Sequence, residues 1–213
     1  MFYVKALGYA MGTIALVLLD LITADAVYTS GASAKQCDDY PAQGTMITIP
    51  GESMKVLSTD PEQQLVLDVV RDPFDIPNYK LVPEHGHIHP QQAEGFEVIE
   101  GRAQVLVGEE IHTLAPGDSL LVPPNTIHHW MALDDQPVRV LATFDPPMRV
   151  ASWFVHFQKH IANDSMDFFQ AAVISREFPN SSPAPVSPSP AIWSVLSRIM
   201  APIGRLMGYK PCG

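Results

Sequence analysis

Between residues 45 and 147 the chain is cut into short apolar segments by turn residues, with no room between them for a long amphipathic helix. The segments run Met46-Ile49, Met54-Leu57, Leu65-Val70, Tyr79-Val82, Phe96-Ile99, Ala103-Val107, Ile111-Leu114, Ser119-Val122, Ile127-Met131 and Val138-Phe144. Pro50-Gly51, Asp60-Pro61, Asp72-Pro73, Glu100-Gly101, Pro116-Gly117-Asp118, Pro123-Pro124-Asn125 and Asp134-Asp135 separate them. Strands at this spacing predict an all-β core, an antiparallel sandwich or barrel. A length of 213 residues allows one such domain plus appendages. The net charge of −10 argues against nucleic acid as a partner, because phosphate binding needs clustered Lys and Arg.

The two ends differ from this core. Lys5 precedes an apolar run, Ala6 to Leu19, followed by Asp20 and by small residues at Ala24-x-Ala26 and Ala32-x-Ala34. A basic start, a hydrophobic helix and a small-x-small site resemble a secretory signal. The apolar run is short for a membrane span, which takes about 20 residues, but counting on to Ala26 lengthens it enough. A cleaved signal peptide and an uncleaved membrane anchor both stay open over residues 1–34, with a buried core helix as a third reading. Either of the first two sends the chain into the secretory pathway, secreted or membrane-anchored. The sequons at Asn163 and Asn180 fit glycosylation on that route. Cys37 and Cys212 flank the central region and have no metal-finger spacing; they are one disulfide in an oxidising compartment, or two unrelated thiols.

After Pro147 the pattern turns helical. Phe154, Phe157 and Ile161 recur at helix spacing over 151–161, with Ser152 as the N-cap, and a second helix spans 166–177 from a cap at Asp164 or Ser165. These helices (148–178) are expected to pack over the sheet. The Pro- and Ser-rich stretch 179–190 reads as an extended linker. Ser189-Pro190 opens a last amphipathic helix over 191–209, with Ile192, Val195, Leu196, Ile199, Ile203, Leu206 and Met207 on one face and Arg198 and Arg205 on the other. Pro202 should kink or divide it. From Ala191 to the end the chain carries +3 and the remainder −13. That segment is expected to dock on the domain or a second subunit, with a membrane surface as the other reading.

The chemistry concentrates in His85, His87 and His89, then His128 and His129. His87 and His89 share one face of a strand because side chains alternate with period 2. Glu94 and His128 complete a set of three imidazoles and one carboxylate, suited to a divalent transition metal. Glu97 falls on the opposite strand face from Glu94. His129 should point away from His128, to the outside. His112, His156 and His160 have no partners in sequence and read as structural.

Two motifs carry a family resemblance. His87-x-His89, Glu94 and Gly101 form one; Gly117, Pro123, Asn125 and His128 form the other. Together they resemble the cupin superfamily. Asn125 stands where the family usually has Gly, and Ala132 where it usually has Asn. Asn tolerates positive φ, so the turn can survive. The run Gly95 to Gly101 and the ending Ala201 to Tyr209 look like a group of small single-domain cupins, mostly of unassigned activity; the likeness covers roughly Glu52 to Tyr209. The resemblance implies a double-stranded β-helix (jelly-roll) barrel over 45–147, one metal held by His87, His89, Glu94 and His128, and a homodimer.

Such a site leaves coordination positions for water, dioxygen or a chelating substrate. Fe(II) is favoured, and Mn, Ni, Cu and Zn suit the same donors. The expected chemistry is an oxygen-dependent oxidation of a small enol, phenol or diketone. Glu94 would act as base, its pKa raised by burial. Phe96, Val98 and Trp130, with His85 at the mouth, are expected to line an apolar substrate pocket, with simple exposure as the other reading for His85 and a core role as the other reading for Trp130. A non-redox isomerase or lyase and a non-catalytic small-molecule-binding protein are the competing readings.

Overall fold

The computed structural model describes residues 40–59, 64–73 and 80–212, with Asp20, Thr23 and Cys37. The amino-terminal helix expected over 1–34 lies outside them. Among the described residues, eleven strands form two antiparallel sheets facing each other. The six-stranded sheet has the order β1 (Met46–Ile49), β2 (Glu52–Thr59), β3 (Leu65–Arg71), β10 (Val138–Asp145), β5 (Ala93–Glu100) and β8 (Ser119–Val122). The five-stranded sheet has β11 (Ala184–Pro185), β4 (His87–Ile88), β9 (His128–Ala132), β6 (Ala103–Val107) and β7 (Glu110–Leu114). This is a jelly-roll barrel.

Alternation decides which side chains fill it. Along β10, Val138, Val140, Ala142 and Phe144 point inward and are buried, while Arg139, Leu141 and Thr143 face out. Val56, Leu67, Val69, Phe96, Val98, Val105 and Trp130 meet them in one core. Each such side chain contributes roughly 1.5–3 kcal/mol relative to exposure. On β5, Gly95 lies against β10: a Cβ there would sit 2.3 Å from Thr143 Oγ1, so only glycine fits beside Glu94. Asn125 adopts φ 59°, and its N–H donates to the His89 carbonyl at 2.8 Å, so the turn before β9 closes without glycine.

No strand forms over 80–82, the described part of the segment expected at Tyr79–Val82. Pro83, which has no N–H to give a ladder, instead starts a single 3-10 turn, Pro83–His85. The first helix after the barrel, α1, is Val150–Ala162; Arg149 is its N-cap and Ser152 lies buried inside it. The second, α2, is Phe168–Glu177, capped by Asp167, whose side chain accepts from the Gln170 N–H at 2.9 Å, and not by Asp164 or Ser165. The stretch 179–190 is not a free linker: β11 pairs with β4, and Ser181 and Ser182 are buried.

The last helix, α3, runs from Pro190 to Leu206 and is not divided at Pro202. Its inner face is made of small residues, Ser197, Ala201 and Gly204, packed on α2. The large apolar side chains Ile192, Val195 and Leu206 are exposed, the reverse of a helix that docks by its greasy face. Cys37 and Cys212 form a disulfide, with Cα atoms 5.5 Å apart. Arg149 Nη2 donates both to the Cys37 carbonyl (3.0 Å) and to Glu177 (3.1 Å), which ties this end of the chain to α1 and α2. Asn163 and Asn180 are both exposed.

Candidate metal centre

Strand pairing assembles the cluster from both sheets. His87 on β4 lies directly opposite His128 on β9. Two residues further on, His89 leaves the strand on the same side as His87, its carbonyl held by Asn125. Glu94 on β5 comes across from the six-stranded sheet, flanked by Val122 and Phe144. His89, Glu94 and His128 are buried and His87 nearly so.

Glu94 Oε2 lies 2.8 Å from His128 Nε2 and 3.2 Å from His89 Nε2. The His87 ring centroid is 4.4 Å from that of His128 and 5.0 Å from that of His89. One donor atom from each of the four residues lies within 4.8 Å of the others. Donors bound to one ion at about 2.0–2.2 Å stand roughly 3 to 4.4 Å apart, so small side-chain movements would bring all four onto one centre. His128 Nδ1 donates to the Thr126 carbonyl at 2.8 Å, which turns Nε2 toward Glu94 and the centre; an ion held there would take the place of the proton that Nε2 shares with Glu94. The residues present therefore fit a divalent transition metal.

The electrostatics agree with this donor chemistry. Burial, reinforced by His128 and His89, pushes His87 well below the usual histidine range, so it is neutral with its lone pair available at pH 7. Burial alone would raise Glu94, but hydrogen bonds from His128 and His89 outweigh it and hold the carboxyl below its ordinary value. The expectation that burial raises the pKa of Glu94 is thus corrected: it is an anion braced by two imidazoles. Burial works against a charge on His128, yet its hydrogen bond to Glu94 raises it on balance.

The cluster opens into a cavity of about 400 Å³. Trp130 and His85 line it. Phe96 and Val98 do not; they are buried in the core. His129, expected outside, lines the cavity, and burial together with Arg71 and His85 lowers its pKa to about 4. Sequence reasoning missed most of the wall. Trp153, Phe154 and Phe157 reach in from α1, with Trp153 stacked on Phe157 at 4.7 Å. Arg71 lies 4.1 Å over the Trp130 ring, donates to the Trp130 carbonyl at 2.6 Å and is paired with Glu52. Glu52 and Arg71 are cross-strand neighbours on β2 and β3, a signal readable only once the register is known. Beneath the site Gln92 is buried, its amide donating to the carbonyls of Pro146 (2.8 Å) and Pro147 (3.1 Å) and pinning the turn into α1.

Residues 81–144 match the family model of the cupin domain, and this chain carries a cupin domain. That stretch contains all four cluster residues. No curated protein matches the chain. Among solved structures it is similar to KdgF from Halomonas sp., at 21% identity over 47% of this chain and 84% of that one, with a TM-score of 0.39. An RmlC-like cupin from Shewanella frigidimarina matches at 22% identity over 48% and 83%, with a TM-score of 0.38. A sugar phosphate isomerase of the cupin superfamily from Silicibacter pomeroyi matches at 23% over 45% and 59%, with a TM-score of 0.36. Likenesses of this order carry no argument about activity.

Proposed function

We propose that the protein is a metal-dependent oxidoreductase of dioxygenase type, acting on a small enol, phenol or diketone at a mononuclear centre. The observation that carries the reading is the convergence of His87, His89, Glu94 and His128, the first three of which line a cavity walled by aromatic side chains. A divalent metal there, Fe(II) first among the candidates, would polarise a chelating substrate oxygen and give dioxygen an electron route.

The chain's own residues do the rest. His87 and His128 offer nitrogen lone pairs from adjacent strands, and Glu94 supplies the negative charge that offsets part of the cation's. Trp130, Trp153, Phe154 and Phe157 exclude water and select a flat apolar body. Arg71, Glu52, His85 and His129 provide polar contacts along the same cavity. For Glu94 to take a substrate proton it must first leave His89 and His128, so its base role follows substrate binding. We further propose passage through the secretory route, with the segment before residue 35 as signal or anchor and sugars on Asn163 and Asn180.

The test is oxygen uptake by iron-loaded protein given catechols, enols and 1,3-diketones. The reading predicts substrate loss in step with oxygen loss, and none with His87→Ala/His89→Ala. Conversion that continues unchanged without oxygen would replace it with the isomerase or lyase reading. Binding without conversion of any compound would leave a binding protein.

A further inference from the structure

The outward face of α3 is the least explained surface of the molecule. Val195 is 56% exposed, Ile192 54% and Leu206 84%. At 100° per residue these three fall on one side of the helix, with Ile199 between them. Phe168, 45% exposed at the start of α2, widens the strip: its ring lies 5.5 Å from Trp193. Met207 continues it past the helix end. A helix that needed only to close the domain would turn these residues inward; here Ser197, Ala201 and Gly204 do that work instead.

The fringe of the strip is basic. Arg198 is exposed on its flank, and Lys210 is exposed just beyond the helix, whereas the Arg205 guanidinium turns inward toward Glu177. The segment from residue 191 onward carries +3, whereas the rest of the chain carries −13. Asp167, near this end, is engaged in capping α2 and accepting from the Tyr209 hydroxyl. Large apolar side chains bordered by Arg and Lys are the composition of an interfacial helix. A second copy set face to face would bring the same basic fringe against itself.

We propose that the exposed face of α3, with Phe168 and Met207, docks on the surface of a bilayer containing anionic lipids. Ile192, Val195 and Leu206 enter the headgroup–acyl boundary, and Arg198 and Lys210 meet the lipid phosphates. The proposal is independent of the metal centre. Each basic residue near such a surface is worth about a fivefold change in partitioning.

The experiment uses the full chain with an environment-sensitive fluorophore on Val195→Cys, and, as control, on Ile111→Cys in β7 at the far edge of the sheet from β11. Protein is added to vesicles of phosphatidylcholine alone or mixed with phosphatidylglycerol, with and without spin-labelled lipid. The label at 195 should shift to the blue and be quenched on the anionic vesicles, while the label at 111 should not respond. Arg198→Glu with Lys210→Glu should abolish the preference for anionic over neutral vesicles. A label at 195 that stays in water on vesicle-bound protein overturns the proposal. So does shielding without vesicles: if it depends on concentration the occupant is a second copy, and if not it is the chain's own amino-terminal segment.

Discussion

Removing the Cys37–Cys212 disulfide is the strongest single test of how the ends of the chain are held. The bond closes a loop with a sequence separation of 175. In the chain-entropy account, closure of that length removes about 17 cal/mol/K from the unfolded ensemble, or about 5 kcal/mol at 25 °C. Residual structure in the unfolded chain lowers this, so a loss of about 2–5 kcal/mol is expected on reduction or in Cys37→Ser/Cys212→Ser. At a slope of about 2 kcal/mol/M this shifts the urea midpoint down by about 1–2.5 M. The assay is urea unfolding followed by far-UV circular dichroism, with and without reductant, on the wild type and the double variant. Reductant should move the wild-type curve onto the variant's and leave the variant's unchanged. The buried setting of Cys37, beside Ile174 and Phe178 and with its carbonyl held by Arg149, should keep the folded states alike. A wild-type midpoint indifferent to reductant would refute both the link and the reasoning from loop length.

Two further outcomes follow from local geometry. Gly95→Ala should destabilise the protein by about 1–3 kcal/mol, because the new methyl meets Thr143 Oγ1; thermal melts should show Thr143→Ala restoring most of the loss, and no rescue would mean the clash lies elsewhere. The bidentate Asp68–Arg139 pair holds the Asp68 carboxyl below its ordinary value, since the hydrogen bonds from Arg139 outweigh burial. Because the folded pKa is the lower one, the pair's contribution is complete above about pH 4 and is lost as pH falls through the folded value. Asp68→Asn should therefore be less stable than wild type in urea at pH 6, and the gap should close in strong acid; an equal gap at both would contradict this.

The barrel was legible where alternation is strict, as along Ala103–Val107 and Val138–Asp145. Strands as short as His87–Ile88 and Ala184–Pro185 leave no periodic trace; they exist because each other and β9 supply partners. The ligand set was legible because strand parity places His87 and His89 on one side. Parity gives a face but not a depth: Phe96 and Val98 do share the inward face with Glu94, yet they lie in the core beyond it. His129 obeys parity and still meets the cavity, which it lines together with Arg71 and His85. Along α3 the period revealed an apolar stripe but not its direction. Close packing on α2 selects small side chains, and a Cβ on Gly204 would already stand 3.0 Å from Val173 Cγ2. The aromatic wall from α1 had no sequence signal beyond helix spacing.

The most direct test of the metal centre is elemental analysis and calorimetric titration with Fe(II), Mn(II) and Zn(II) on full chain purified without a histidine tag. One equivalent of a divalent transition metal per chain is expected for the wild type. His87→Ala/His89→Ala, folded by circular dichroism, should hold almost none. A double variant that still binds a full equivalent, or a wild type that binds none of these ions, would contradict the account.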